Sequence, residues 1–350
     1  NYAELRAELE SCGCRFRSRS DTEVLLEAIA TWGMVAACRK LVGMFAFAVR
    51  DQTDNTLWLV RDRMGKKPLY LYNHRGEYAF ASELKALWRF PGFQPTLNAA
   101  ALGEYFRYTY VADHLSIFNE VTKVMPGSAL EIRPGAAIRT HRYWSLSEVV
   151  EHASRSRITD PVQAEATLLT LLRDATGKRM LADVPLGAFL SGGIDSGLVV
   201  SLMQEGSTRK VRTFSIGFAD ATHDEAPVAK AVARHLGTDH TELYVSDTDA
   251  QRVVPLMPEM FDEPFADASQ IPTYLLAKLT REHVTVALTG DGGDESFGGY
   301  ARYRSEYGLL GACYRLPRFA RTAIARGMAR VPARVWEAMT APIPARRRRR

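Results

Sequence analysis

The sequence lacks the features that mark secreted, zinc-binding and membrane-spanning proteins. Its 350 residues include only four cysteines, and their spacing matches no zinc-binding pattern. No segment has the composition of a signal peptide, no apolar run approaches the length of a membrane span, and no internal repeat is present. We therefore expect a cytoplasmic protein with reduced thiols and no membrane partner.

The sequence also has almost no net charge once its last five residues are set aside. The 45 basic and 40 acidic residues give a net charge of +5, and Arg346 to Arg350 supply five of the basic residues. Because a basic tail is not a basic face, we expect no nucleic-acid partner, and the tail itself is typical of a solvated end. The length indicates two domains, and the apolar fraction of 46% suffices for a substantial core.

A glycine-rich loop at 191–196 is the most distinctive stretch of the chain. The apolar run Pro185–Leu190 predicts a short buried strand before it, and Leu198–Met203 predicts a helix after it. Because Gly192 and Gly193 have no Cβ, their N–H groups can approach a bound anion, and the start of the following helix favours a phosphate. The loop lacks the spacing and the lysine of a Walker A motif, which excludes that class of phosphate site.

Three side chains of this loop carry oxygen atoms suited to a nucleotide and its metal. Ser191 and Ser196 have hydroxyl groups, and Asp195 offers a hard ligand for Mg²⁺. A second glycine-rich loop, Thr289–Tyr300, follows another apolar run at Val284–Leu288. Since ligands of parallel α/β sheets bind beyond the carboxyl ends of the strands, both loops are expected at one ligand site.

Together the two loops resemble those of the ATP pyrophosphatases, in the form found in glutamine-hydrolysing asparagine synthetases. The resemblance implies an α/β parallel-sheet ATP-pyrophosphatase domain that uses ATP and Mg²⁺. It implies that Asp195 and Asp294 hold the metal and that Asp291 is a catalytic residue in forming an acyl-adenylate. The residues that the resemblance assigns to ATP binding are Leu190, Ser191, Gly192, Gly193, Asp195, Ser196, Ile216, Thr289 and Gly290.

Several positions depart from the family pattern or fit two interpretations. Many relatives have a glutamate where this chain has Asp291, and a further hydroxyl where it has Gly197. The family's lysine that stabilises the charge developing during amide formation has no identifiable counterpart. The carboxylates Asp262, Glu263 and Asp267 fit an amino-acid substrate site and a solvated acidic loop equally well.

The first half of the chain has the pattern of an antiparallel α+β domain. Met44–Val49 and Leu57–Val60 form one predicted hairpin, and Leu69–Tyr72 and Tyr78–Ala81 form another. Before them, Ser20-Asp21-Thr22-Glu23 fits a capping box at the start of a helix, with Glu23 reaching back to the backbone of Ser20.

This half resembles the class II glutaminase domain, of the N-terminal-nucleophile type, that is fused to the same synthetases. The segments that carry the resemblance are 1–6, 20–24, 43–47, 61–65 and 80–85. It implies that Asp21 binds the α-amino group of glutamine, although the helix dipole also favours an acidic residue in a first turn. The family's nucleophile is an N-terminal cysteine, whereas this chain begins with Asn1, and neither Cys12 nor Cys14 can replace it. We therefore expect a fragment, incomplete at both ends and without glutaminase activity.

The predicted organisation is an incomplete glutaminase domain at 1–147, a polar linker at 148–161 and an incomplete synthetase domain at 162–350. The resemblance implies that aspartate is converted to asparagine through a β-aspartyl-adenylate, with glutamine as the ammonia donor and AMP and pyrophosphate as products. A homodimer is a candidate assembly. The alternatives are an amidotransferase acting on another carboxylate (a cell-envelope sugar acid or a peptide), a tRNA-modifying pyrophosphatase, and an inactive fragment that still binds nucleotide.

Overall fold

A computed structural model describes residues 1–218, 224–332 and 334–336 of the chain. The described residues form two compact units: the first combines Asn1–Leu181 with Val245–Leu279, and the second combines residues from Ala182–Tyr244 with residues that follow Leu279. None of the helices in these ranges is both long and apolar enough to cross a membrane. The predicted arginine tail lies outside the described residues.

The helices occur throughout both units. In chain order they are α1 (Tyr2–Ser11), α2 (Asp21–Trp32), α3 (Met34–Lys40), α4 (Leu84–Leu87), α5 (Ala99–Tyr108), α6 (Leu146–Arg155), α7 (Pro161–Met180), α8 (Ile194–Glu205), α9 (Ala226–Leu236), α10 (Asp247–Val253), α11 (Met257–Met260), α12 (Gln270–Arg281), α13 (Gly293–Phe297), α14 (Ala301–Tyr314) and α15 (Arg318–Ala329). A short 3₁₀ turn, Val254–Leu256, joins α10 to α11.

The strands form three sheets. In chain order they are β1 (Ala46–Arg50), β2 (Leu57–Arg61), β3 (Tyr70–His74), β4 (Glu77–Ala81), β5 (Val121–Lys123), β6 (Ser128–Ile132), β7 (Arg139–Arg142), β8 (Leu186–Phe189), β9 (Arg212–Phe218), β10 (Asp239–Val245) and β11 (Val286–Leu288). The first unit contains one sheet in the order β1-β2-β6-β7 and another in the order β4-β3-β5. The third sheet has the order β10-β9-β8-β11.

Both sheets of the first unit are antiparallel, as the sequence predicts. The two expected hairpins form, with Phe47 opposite Val60 in one and Leu71 opposite Phe80 in the other. In each strand, alternate residues face opposite sides because the side-chain period of a strand is two. This periodicity gives each sheet two faces to cover.

The faces of these two sheets build a layered core. Leu59 and Leu71, from different sheets, belong to one buried cluster, so the sheets pack face to face. The next residue, Val60, points the other way and packs with Cys38 of α3. Tyr72, on the far face of the second sheet, packs with Leu84 of α4. The first unit therefore has a helix–sheet–sheet–helix arrangement in this region. Burial in this core raises the pKa of the Cys38 thiol to about 12.

The predicted capping box at the start of α2 is only half right. The Ser20 side chain accepts a hydrogen bond from the Thr22 N–H at 3.1 Å and so caps the helix. Glu23, however, accepts from the N–H groups of Arg17 and Ser18, both at 2.7 Å, instead of from Ser20. The chain before the helix curls toward the carboxylate, and these N–H groups hold the pKa of Glu23 below its usual value.

The predicted linker at 148–161 is largely helical, since it contains most of α6 and the first residue of α7. α6 carries apolar residues at helical spacing, Leu146, Val149 and Val150 among them, but buries none of its residues. α7 begins where Asp160 accepts hydrogen bonds from the N–H groups of Val162 and Gln163, with proline in the first turn.

The second unit contains the sheet on which both glycine-rich loops depend. β8 pairs in parallel with β9 on one side and with β11 on the other. Phe189 lies opposite Phe214, and Leu288 lies opposite Ala188. The carboxyl ends of β8, β9 and β11 therefore lie at one edge of the sheet.

Candidate nucleotide site

The two predicted loops start at the same edge of the sheet in the second unit. The first loop follows β8 directly, and the second follows β11. The Leu190 N–H donates to the Phe214 carbonyl at 2.8 Å, and the Leu190 side chain is buried. Leu190 therefore extends the pairing between β8 and β9 by one residue.

The serine hydroxyls of the first loop hold the loop together. Ser191 Oγ and Ser196 Oγ lie 2.8 Å apart. The N–H of Ser191 donates to Ser196 Oγ at 3.1 Å, and the N–H of Gly193 donates to Ser191 Oγ at 3.1 Å. These contacts draw the loop into a compact turn that presents the start of α8.

The start of α8 supplies the anion-binding groups. Gly193 is the N-cap residue, and no side chain caps the helix. The first intrahelical bond runs from the Gly197 N–H to the Gly193 carbonyl. Helix geometry leaves the preceding N–H groups, those of Ile194, Asp195 and Ser196, without an intrahelical acceptor. With the positive end of the helix dipole, these donors suit a phosphate oxygen.

The second loop packs directly against this helix start. A Cβ at Gly290 would lie 2.6 Å from the backbone nitrogen of Ser196, so only glycine fits there. A Cβ at Gly293 would overlap the Asp195 carboxylate. The predicted ATP-binding residues of the two loops are therefore in contact in the folded chain.

The carboxylates at this junction come from both loops. Asp195 and Asp294 are half-buried, and Asp195 lies against Gly293, the residue before Asp294. Asp291 is exposed, and its backbone N–H donates to Thr289 Oγ1 at 3.3 Å. Within the described ranges no group of three or more His, Cys, Asp or Glu side chains is arranged to hold a metal. Two carboxylates completed by phosphate oxygens are a common way to hold Mg²⁺, so the residues present fit that ion.

Ile216 lies near the carboxyl end of β9, two residues beyond the Phe214 carbonyl that binds Leu190. It is half-buried between Ser215 and Gly217. The structure thus places its backbone at the edge of the sheet that carries the two loops.

Two contacts of this site carry no local signal in the sequence. Gly192 lies under Val228 of α9, since a Cβ at Gly192 would be 2.9 Å from the Val228 side chain. His240 of β10 contacts both Thr213 and Ser215 of β9. Both contacts join residues that are tens of positions apart in the sequence, so only the folded structure brings them together.

Asp21, the predicted glutamine-binding residue, lies in the first unit. It is the first residue of α2, is exposed, and accepts a hydrogen bond from its neighbour Thr22 at 3.4 Å. This position is consistent with the favourable placement of a carboxylate at a helix N-terminus.

Asp262 and Glu263 bind distant parts of the first unit, which neither interpretation anticipated, whereas Asp267 is exposed. The Asp262 carboxylate accepts from the Leu84 N–H at 2.7 Å, at the start of α4. Glu263 forms a buried ion pair with Lys123 of β5 and accepts from the Ile117 N–H at 2.9 Å. Asp267 accepts from the Ser269 N–H at 2.7 Å. Asp262 and Glu263 are too buried for a solvated loop, and their oxygens are occupied by the protein itself.

Comparison with known proteins assigns families to both halves of the chain. The Asparagine synthase family matches residues 167–350, and the Glutamine amidotransferase domain family matches residues 1–144. Asparagine synthetase [glutamine-hydrolyzing] 1 of Bacillus subtilis is 38% identical over 314 residues, which cover 88% of this chain and 48% of the relative. A putative asparagine synthetase [glutamine-hydrolyzing] 2 of Methanocaldococcus jannaschii is 34% identical over 325 residues, covering 92% of this chain and 61% of the relative.

Among solved structures, glutamine phosphoribosylpyrophosphate amidotransferase from B. subtilis, complexed with ADP and GMP, matches 69% of this chain and 43% of its own. Its identity is 17% and its TM-score is 0.29, which is too low to support a structural argument. The chain spans about half to three-fifths of the length of the two curated relatives. On the family matches, the chain belongs to the asparagine synthase family, with a glutamine amidotransferase domain preceding the synthase domain.

Proposed function

We propose that the chain is part of a glutamine-hydrolysing asparagine synthetase that activates aspartate with ATP. In the enzyme of which this chain is a part, the domain of the class II N-terminal-nucleophile type supplies ammonia from glutamine, whose α-amino group Asp21 binds; this chain by itself, without the nucleophile, should not hydrolyse glutamine. The second domain, of the ATP-pyrophosphatase type, makes the β-aspartyl-adenylate and releases pyrophosphate. Ammonia then converts the adenylate to asparagine and AMP.

The observation that carries this proposal is the junction of the two glycine-rich loops. Gly290 packs on the backbone of Ser196, so both loops surround the start of α8. A strand–loop–helix unit of this kind presents N–H donors and a helix dipole to an anion. Relatives named asparagine synthetase match the chain across this region, which favours a nucleotide phosphate as that anion.

Activation is needed because a carboxylate is a poor electrophile. An oxygen of the aspartate β-carboxylate attacks the α-phosphorus of ATP, and the bond to the β-phosphate oxygen breaks, so that pyrophosphate leaves. The nitrogen of ammonia then attacks the acyl carbon, the bond to the AMP oxygen breaks, and the nitrogen loses a proton. Preorganised donors at the start of α8 stabilise the negative charge that develops on the departing pyrophosphate.

Asp195 and Asp294 would hold Mg²⁺ at this junction. When bound there, the ion supplies positive charge to the pyrophosphate oxygens. Two carboxylates on loops that contact each other repel one another unless a cation lies between them. A single Mg²⁺ bound by both side chains would offset that repulsion. Leu190, Thr289, Gly290 and the main chain of Ile216 would contact the nucleotide.

Thermal unfolding of the chain with and without ATP and Mg²⁺ tests this assignment. A ligand at 100 times its dissociation constant stabilises the native state by about 2.7 kcal/mol, which corresponds to a rise in Tm of roughly 5 to 10 °C for a unit of this size. We expect that rise in the parent chain. Asp195→Ala and Asp294→Ala should each abolish most of it.

Asp183→Ala is the matched control. Asp183 is an exposed carboxylate of the same unit, but it precedes β8 and so lies at the opposite end of that strand from the loops. The control should keep the full rise in Tm. A full rise in both loop variants would refute the metal assignment, and no rise in the parent chain would refute nucleotide binding.

A further inference from the structure

His240 is half-buried within the second unit and uses both of its ring nitrogens. Nδ1 lies 2.9 Å from Thr213 Oγ1, and Nε2 lies 3.2 Å from Ser215 Oγ. Thr213 Oγ1 also lies 3.0 Å from Thr238 Oγ1. Thr213 and Ser215 are buried, with 0% and 4% of their surfaces exposed. One imidazole therefore bridges two hydroxyl groups on the same face of β9.

This bridge spans the backbone next to Ile216, one of the predicted ATP-binding residues. Residues two apart on a strand are separated by roughly 6.6 Å, and a flat ring with a nitrogen on each side can reach both hydroxyls. Ser215 immediately precedes Ile216, and Phe214, between the two bridged residues, accepts the Leu190 N–H. The His240 bridge thus fixes the stretch of β9 that joins the first loop to Ile216.

The same face of β9 is also closely packed at Gly217, two residues after Ser215. A Cβ at Gly217 would lie 2.7 Å from the Tyr244 ring and 3.0 Å from Ala226 of α9. Because Gly217 is held closely after Ile216 and Ser215 is held before it, the Ile216 backbone has a defined position. Its N–H and carbonyl are then preorganised for a ligand that binds through the main chain.

We propose that His240 is a positioning residue for ATP: in its neutral form it holds the Ile216 backbone in place through Ser215, and protonation weakens nucleotide binding. This inference rests on the proposed function, because it takes the base of ATP as the ligand of Ile216. His240 acts through Ser215 and does not itself contact the nucleotide.

The charges around His240 support the neutral form. The groups that face it are the hydroxyls of β9, the Thr238 hydroxyl, Glu242 of β10 and Lys230 of α9. Burial lowers the pKa of His240 below 6.5, and Lys230 acts in the same direction, while Glu242 opposes them. Glu242 is itself paired with Lys230 at 2.8 Å, which limits its pull on a proton. Since protonation is easier in the unfolded chain, the contribution of His240 to stability is complete above about pH 6.5 and declines as the pH falls below it.

Three substitutions separate the two contacts of the bridge, the first from Nδ1 to Thr213 and the second from Nε2 to Ser215. An asparagine amide occupies the position of Nδ1 and a glutamine amide that of Nε2, so His240→Asn keeps the Thr213 contact and His240→Gln keeps the Ser215 contact. Ser215→Ala removes the contact between Ser215 and Nε2 while leaving His240 in place. His235→Gln is the control, because His235 is an exposed histidine in the last turn of α9 in the same unit.

The measurement is the dissociation constant of ATP with Mg²⁺, obtained by calorimetry at about pH 5.5 and about pH 7.5, on either side of the ordinary histidine range. We expect the parent chain and His235→Gln to bind more weakly at the lower pH, because a larger fraction of His240 is protonated there. His240→Gln should bind within about twofold of the parent at the higher pH and lose the His240 part of the pH dependence. His240→Asn and Ser215→Ala should both bind about tenfold more weakly at the higher pH, a loss of about 1.4 kcal/mol.

Titration of the nucleotide itself is common to all variants, so only differences in pH dependence between variants count. Circular dichroism confirms that each variant is folded before binding is measured. Equal affinities and equal pH dependences in the parent, His240→Asn and Ser215→Ala would overturn the positioning role while leaving the proposed function intact. Failure of the parent chain to bind ATP at either pH would overturn the proposed function and this inference with it.

Discussion

The buried ion pair between Lys123 and Glu263 gives the sharpest stability prediction. The two residues are 140 positions apart, and their side chains are only 7% and 11% exposed. Lys123 also donates to the carbonyls of Val111 at 2.9 Å and Ala112 at 3.4 Å, and Glu263 accepts from the Ile117 N–H. The pair therefore ties residues 245–279 to β5 and to the loop before it, all within the first unit.

Removing one charge should cost much more than removing both. Breaking a buried pair from one side typically destabilises a protein by about 3 to 5 kcal/mol, because an uncompensated charge stays buried. For Glu263→Gln we expect about 3 kcal/mol, at the low end, since two carbonyls still solvate Lys123 and the amide can still accept from Ile117. Lys123→Met should cost about 4 kcal/mol, because the Glu263 carboxylate then retains only one N–H donor. The double variant has no buried charge and should cost only about 1 to 2 kcal/mol in total, less than either single variant.

Urea unfolding followed by tryptophan fluorescence reports on the correct unit. Four of the five tryptophans, Trp32, Trp58, Trp88 and Trp144, lie in the first unit. With a slope of about 2 kcal/mol per molar urea, Glu263→Gln should lower the midpoint by about 1.5 M. The control pair is Lys40 with Glu8, which is 40% and 44% exposed, and breaking it should cost less than about 1 kcal/mol.

The double-mutant cycle contains the refuting result. If the two single losses simply add in the double variant, the charges do not depend on each other and the reasoning fails. A loss below about 1 kcal/mol for Glu263→Gln, equal to that of the surface pair, would show that Lys123 is solvated in solution despite its low exposure.

Two further predictions concern the loop junction. Gly290→Ala places a methyl group 2.6 Å from the Ser196 nitrogen, so it should lower the free energy of unfolding by about 1 to 3 kcal/mol and impair ATP binding. Gly197→Ala lies inside a helix with its nearest neighbour 4.0 Å away, so it should raise the free energy of unfolding by about 0.5 to 1 kcal/mol. Urea unfolding checks both variants, and equal effects would contradict the packing argument. In the full-length enzyme, Asp291→Asn should bind ATP normally but slow the aspartate-dependent exchange of labelled pyrophosphate into ATP at least tenfold, which is about 1.4 kcal/mol in the activation barrier. Asp291→Glu should be tolerated. Unchanged exchange by Asp291→Asn would leave Asp291 only a structural role in the loop.

Local patterns were sufficient to predict most of the fold. The hairpins β1–β2 and β3–β4 follow from alternating apolar residues around polar turns, and both form in register. In the second half, buried apolar runs alternate with helical stripes, and the parallel pairing of β8 with β9 and β11 follows from that order. These signals lie within about ten residues, which is the range over which a sequence pattern can be recognised without knowing the fold.

The failures have the opposite character, because each depends on contacts that no short pattern contains. Glu23 fits a capping box by spacing, but the carboxylate binds whichever N–H groups the preceding loop brings near. α6 is the exception, because Leu146, Val149 and Val150 do recur at helical spacing, and the interpretation as a polar linker missed that pattern. Asp262 and Glu263 have partners 178 and 140 positions away, and a run of acidic residues is indistinguishable in sequence from a solvated loop.

The glycines of the two nucleotide loops show how a motif can be recognised correctly for an incomplete reason. From the sequence, Gly192 and Gly193 are explained by the approach of a phosphate to a bare backbone. In the structure, Gly192 is required under Val228, Gly290 against Ser196 and Gly293 against Asp195. These contacts are made by the protein alone, so a side chain at Gly290 or Gly293 would separate the two loops, and one at Gly192 would push the first loop away from α9, before any ligand arrived. The spacing of the motif therefore encodes the fit of one loop to the other, and the grouping of N–H donors and carboxylates at the start of α8 follows from that fit.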